Sequence, residues 1–205
     1  IESDYKLSIK EDFGAGEIQG FLSEHAASLG IWIVGGAIPI VCENSKKVHS
    51  ASIVFNSQGL VVDRYNKVHL FDARVSENEA YQESDTVEPG TNLSVIETPV
   101  GKLGMSICYD LRFPALYTQL RDMGAEIITV PSAFPVATGE AHWRLLTRSR
   151  AVENFCYVVG ACQGGIHASG RITYGHSIII EPWGSVVKEV MEPGKAVICA
   201  EIDIE

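Results

Sequence analysis

The chain has 205 residues with 16 basic and 26 acidic side chains, a formal net charge of −10, and 46% apolar against 20% charged content. That composition is globular rather than disordered, and a chain of this length buries roughly 70% of its unfolded surface without staples. The acidic balance and the lack of a Lys/Arg run argue against nucleic acid or anionic membrane as partner, and no apolar run approaches the ~20 residues of a membrane span.

In chain order, residues 15–29 read as an amphipathic helix with Ile18, Phe21, Leu22 and Leu29 on one face and Gly30 as its stop. Ile31 to Val34 is a short buried strand closed by Gly35-Gly36. Ser50–Phe55 and Leu60–Tyr65 flank the turn Asn56-Ser57-Gln58-Gly59 and read as a hairpin. A second hairpin joins Leu93–Thr98 to Lys102–Cys108. Pro114 opens a helix to about Met123, stopped by Gly124, and Ala125–Val130 is a strand. Residues 140–155 have helical composition, with Trp143, Leu146, Ala151 and Phe155 as core contacts. Strands are expected at 157–161, 177–180, 186–190 and 196–202, and Pro182-Trp183-Gly184 is a turn whose tryptophan packs on the sheet. Helices interspersed with strands imply an α/β fold with layers around mixed sheets. No repeat, linker or secretory leader is visible, so residues 1–205 read as a single domain.

Five cysteines, Cys42, Cys108, Cys156, Cys162 and Cys199, form an odd set without CxxC spacing. This speaks against a disulfide framework and a thiolate zinc site, and for a reducing, cytoplasmic compartment. His142, His167 and His176 fit no metal-ligand spacing, so no metal and no cofactor are expected.

Three stretches carry chemistry. In Gly104 to Pro114 an apolar strand delivers Cys108 to a polar turn before a helix, which suits a nucleophile held on rigid elements beside backbone N–H donors. Alone, such a cysteine reads first as a buried core residue. Lys67 interrupts a strand-to-loop passage, where it is either a solvated charge or a fixed cation in a cleft. Glu83 lies in a polar loop, where a lone carboxylate is ordinarily a surface group. Asp110 and Arg112 flank the cysteine and read as a structural ion pair that stiffens the turn.

Together, Cys108-Tyr109-Asp110-Leu111-Arg112-Phe113-Pro114, Tyr65-Asn66-Lys67-Val68-His69-Leu70-Phe71 and Glu83-Ser84 resemble the nucleophile, lysine and glutamate motifs of the nitrilase superfamily, the carbon–nitrogen hydrolases. Glu83 stands 16 residues after Lys67 and 25 before Cys108. Pro131-Ser132-Ala133-Phe134, Ala141-His142-Trp143, Arg148 to Asn154 and Tyr174-Gly175-His176-Ser177 extend the similarity along nearly the whole chain, and the set looks closest to the Nit branch.

The resemblance implies an αββα sandwich of two mixed β-sheets flanked by helices, pairing into a four-layer αββααββα dimer. It implies cysteine-dependent hydrolysis of a small carboxylated amide, either deaminated glutathione or a 2-oxo-dicarboxylate monoamide, with Cys108 as nucleophile. Lys67 would stabilise the oxyanion and Glu83 would position Lys67 or the substrate, with Tyr109, Phe134 and Thr138 against the substrate. Arg171 is a weak candidate for meeting the substrate's acid group. Alternatives are a nitrilase, an N-carbamoyl amidohydrolase, or a silent relative that keeps the fold as a binding module.

The family's general-base glutamate, within a Pro-Glu at a strand end, is not present. Glu2 lacks the preceding proline and strand. With Ile1 in place of methionine, the expectation is a chain truncated at both ends, its base upstream and its oligomer-contacting tail downstream. Residues 1–205 alone are expected to be inactive, and measurable turnover by them would refute this.

Overall fold

The computed structural model describes residues 3–43, 45–77, 79–191 and 194–204, so Glu2 lies outside the described residues. The chain forms two compact units, Ile1–Ser94 and Val95–Glu205.

The first unit opens with α1 (Ser3–Ser8) and α2 (Glu17–Leu29). A three-stranded sheet follows, in order β1 (Ile33–Val41), β2 (Val48–Phe55), β3 (Val61–Asn66). Both of its ladders are antiparallel, and single parallel bridges join Glu11 to Ile40 and Val48 to Val87. A small ribbon of β4 (Asp72–Arg74) and β5 (Ala80–Gln82) ends in a 3₁₀ turn, Glu83–Asp85. The core joins Ala26 of α2 to Ile38, Ile40, Ala51, Ile53 and Phe55, with Ile18, Leu22 and Ile33 packed around it.

The helix face differs from expectation. Ile18, Leu22 and Ala26 recur every fourth residue and drift around the helix away from Phe21, which is exposed. Leu29 is exposed because it is the last helical residue, beside the left-handed Gly30. Gly35-Gly36 does not end β1. The register shifts between Gly35 and Ile38, where Ala37 has a φ of 32°, and the strand continues beyond this bulge to Val41. The β2–β3 hairpin forms as expected, its turn closed by Asn56 Oδ1 accepting from the Gln58 and Leu60 amides at 3.0 Å.

The second unit is built on a six-stranded mixed sheet. Its elements are β6 (Val95–Thr98), β7 (Gly101–Met105), α3 (Pro114–Asp122), β8 (Ile127–Thr129), α4 (Val136–Thr138) and α5 (Arg144–Asn154). β9 (Tyr157–Gly160), β10 (Gly164–Ile166), β11 (Ile172–Tyr174), β12 (Ile178–Ile180) and β13 (Val186–Glu189) complete it. The sheet order is β13-β12-β9-β8-β7-β6, parallel across β7, β8 and β9 and antiparallel elsewhere. β8 and β12 are buried on both faces, and β12 is accordingly an unbroken run of three isoleucines. β10 and β11 pair as a separate hairpin.

Three expectations fail here. Trp143 is fully buried, but Phe155 is 76% exposed, since it caps α5 in the left-handed region and its side chain leaves the helix face. Trp183 is 86% exposed at the tip of the β12–β13 turn rather than packed on the sheet. Residues 196–202 form no strand among the described residues, and Val197 is exposed instead of buried against a sheet. The molecule is an α/β fold with mixed sheets and few helices.

Candidate active site

Lys67 directly follows β3, and its main chain is held on both sides. Its N–H donates to the Ser50 carbonyl at 2.9 Å, and its own carbonyl accepts from Gly90 at 2.8 Å. Gly90 is required at that approach, because a Cβ there would run into the Asn66 backbone. The Lys67 side chain is 3% exposed and donates to Glu83 Oε2 in a very short ion pair. The same oxygen accepts from the Phe71 amide at 2.7 Å, and Oε1 lies 3.4 Å from Lys6 Nζ on α1. Burial acts to raise the Glu83 pKa. The positive charges of Lys67 and Lys6, with hydrogen bonds from Lys67 and Phe71, outweigh it and hold the carboxyl below its ordinary value. Glu83 is thus a fixed anion near neutral pH. It offsets the desolvation of Lys67 and aims the ammonium, a group suited to stabilising a developing oxyanion.

Cys108 belongs to the second unit. It begins a 3₁₀ turn, Cys108–Arg112, immediately after β7 and Ser106-Ile107. Its φ is 48°, the left-handed region that non-glycine residues avoid at a cost of about 1–3 kcal/mol. Surrounding contacts hold this conformation. The Cys108 N–H donates to the Pro131 carbonyl at 3.0 Å, and Asp110 Oδ2 accepts the Ile107 N–H at 2.9 Å. Arg150 on α5, itself 4% exposed, donates through Nε and Nη2 to the Leu111 carbonyl at 3.0 and 2.9 Å. The side chain of Cys108 is half-buried. By contrast, burial pushes the Cys156 thiol up to about 11 and the Cys162 thiol up to about 12, so neither is a thiolate near neutral pH.

Asp110 closes the turn, while Arg112 is directed elsewhere. The Arg112 guanidinium carbon lies 5.9 Å from the Tyr109 ring centre and 6.0 Å from that of Phe134, and Nη2 is 3.1 Å from His142 Nδ1. Phe134 is buried against Trp143, their ring centres 5.2 Å apart. Thr138 ends α4, its hydroxyl donating to the Pro135 carbonyl at 3.2 Å. Arg171 donates to the Ala133 carbonyl at 2.8 Å. His167 Nε2 meets Thr173 Oγ1 at 2.7 Å, and His176 Nδ1 meets the Tyr174 carbonyl at 2.9 Å.

The structure therefore brings Lys67 and Glu83 together in one unit, and Cys108, Tyr109 and Phe134 around one turn in the other. Sequence reasoning missed Lys6, gave Arg150 no role beyond its place in the stretch Arg148 to Asn154, and read Arg112 only as half of an ion pair. Lys6 carries no motif. A buried arginine one helix away becomes visible only once the carbonyl it supports has been placed.

The description of the carbon–nitrogen hydrolase family matches residues 5–205. A deaminated glutathione amidase of Yersinia enterocolitica is 45% identical over 179 residues, covering 86% of this chain and 63% of that protein. The omega-amidase NIT3 of Saccharomyces cerevisiae is 42% identical over 185 residues, covering 90% of this chain and 63% of that protein. The crystal structure of yeast Nit3, a member of branch 10 of the nitrilase superfamily, superposes with a TM-score of 0.81 at 36% identity, over 92% of this chain and 67% of that one. An amidase from Nesterenkonia sp. AN1, with acrylamide added to its active-site cysteine, superposes with a TM-score of 0.73 at 26% identity, over 86% and 65% of the two chains. The chain spans 63% of the length of each of the two curated relatives. The chain belongs to the carbon–nitrogen hydrolase family.

Proposed function

We propose that the protein is a cysteine-dependent amidase acting on a small carboxylated amide, of the deaminated glutathione or 2-oxo-dicarboxylate monoamide class. The observation that carries this reading is Cys108, presented half-buried at a strand end in a left-handed conformation held by Pro131, Asp110 and Arg150. Cys108 Sγ forms a bond to the amide carbon, and the C–N bond breaks as the nitrogen takes a proton and leaves as ammonia. Water then cleaves the thioester to release the acid and restore the thiol. Lys67, paired with Glu83, stabilises the tetrahedral oxyanion, a role worth about 3–4 kcal/mol of barrier at comparable sites. Tyr109, Phe134 and Thr138 line the acyl side.

A chain of net charge −10 needs a local cation to receive an acid. Arg112 supports the carboxylated class better than Arg171 does, being half-buried over two aromatic rings and four residues after the nucleophile. In this reading the two units are halves of one hydrolase domain with an αββα layering, and no cofactor takes part. The domain pairs into a homodimer in the cytoplasm. Exposed Leu145, Val152 and Phe155 on and after α5, with Trp183 nearby, favour pairing through that side. Five free cysteines suit a reducing compartment, and no described helix is long and apolar enough to cross a membrane.

The test is ammonia release by the full-length protein across 2-oxo-dicarboxylate monoamides, deaminated glutathione, nitriles and N-carbamoyl amines. Release from the carboxylated amides, abolished by Cys108→Ala, is the expected result. A nitrile response with every amide silent would overturn it, and silence on all substrates would favour a binding module.

A further inference from the structure

Between α4 and α5 the chain makes a π-helical turn, Gly139–Trp143, an irregularity that recurs at functional sites. Trp143 anchors the turn. It is fully buried, its Nε1 donates to the His176 carbonyl at 2.7 Å, and its ring lies against Phe134. The neighbouring residue, His142, is thereby presented to Arg112, with Nδ1 3.1 Å from Nη2. A guanidinium has donors and no acceptor, so this contact requires a lone pair on Nδ1. Nδ1 is therefore the acceptor in this contact. An imidazolium there would offer no acceptor and would place two cations in contact.

We propose that His142 is a positioning residue that sets substrate specificity. Its Nδ1 holds the Arg112 guanidinium over Tyr109 and Phe134, leaving the remaining donors to receive the carboxylate of a short dicarboxylic monoamide. This rests on the substrate reading above, but it makes a separate claim. Arg112 alone is a flexible side chain with several rotatable bonds. A guanidinium held by an acceptor on one nitrogen, with two ring centres about 6 Å from its carbon, has already lost part of that freedom before substrate arrives, which favours bidentate recognition of a carboxylate.

Two measurements on the full-length protein test it. The first is the ¹⁵N spectrum of the His142 ring near neutral pH. Unprotonated Nδ1 with protonated Nε2 is expected, and a protonated Nδ1 would overturn the proposal. The second is calorimetric binding of glutarate, with glutaramide as the uncharged control. His142→Leu should weaken glutarate binding about tenfold, equivalent to about 1.4 kcal/mol, with glutaramide unaffected. His142→Asn, whose amide oxygen replaces Nδ1 as acceptor, should restore it. Equal glutarate affinity in wild type and H142L, or H142N as weak as H142L, would overturn the role of His142 alone. If wild type binds no glutarate, the substrate reading falls and the receptor role with it.

Discussion

Lys67 is a charge that folding must bury, and the position tolerates it only because the largely shielded Glu83 is paired with it. Removing one partner leaves the other uncompensated. Glu83→Gln should therefore cost about 3–5 kcal/mol of stability near neutral pH. The pH dependence has a definite sign. The folded carboxyl is held below its ordinary value, so its contribution is complete above the usual carboxylate range near ~4.3 and fades as pH falls through the lowered folded value. Urea unfolding across a pH series should show the gap between wild type and E83Q closing in acid. An E83Q gap that stays constant with pH would contradict the ion-pair account. Lys67, Glu83 and Cys108 stood out in the sequence because each lies in a stretch that resembles a family motif. Lys6 and the role of Arg150 did not, since a second cation on a carboxylate and a donor to a carbonyl are set by tertiary placement alone.

At the level of elements, α2 lacks a conventional capping residue. Gly16 has no side chain to offer, and the carboxylate of Glu11 accepts instead from the Ile18 amide at 2.5 Å and the Gln19 amide at 3.1 Å. A Cβ on Gly16 would occupy the place of that carboxylate. Glu11→Ala should lower stability by about 1–2 kcal/mol in chemical denaturation. At the other end of the molecule's helical set, Phe155 adopts a φ of 52° as the cap of α5. Phe155→Gly should stabilise the monomer by about 1 kcal/mol, because only glycine adopts that conformation without strain. The helix at α2 was readable from periodicity, but its cap was not, since Glu11 reaches it from outside any local capping pattern. The same limit applies to β1. Its bulge depends on pairing with β2, so Gly35-Gly36 reads from sequence as a stop.

Across the whole molecule, the family was legible because its motifs occur in order along the chain, whereas the fates of Phe155 and Trp183 depend on surface exposure that apolar identity does not reveal. If these side chains pair two protomers, Val152→Lys combined with Trp183→Ser should convert the dimer to monomer in sedimentation velocity, and an unchanged sedimentation coefficient would contradict pairing through this side. The central claim is that Cys108 is a nucleophile whose reactivity depends on Lys67. It is tested most directly by the rate at which acrylamide adds to each cysteine, followed by peptide mass spectrometry in wild type and Lys67→Met. Cys108 should react at least about tenfold faster than the exposed Cys199, and K67M should slow Cys108 while leaving Cys199 unchanged. Faster labelling of Cys199 than of Cys108, or a Cys108 rate indifferent to Lys67, would contradict the account.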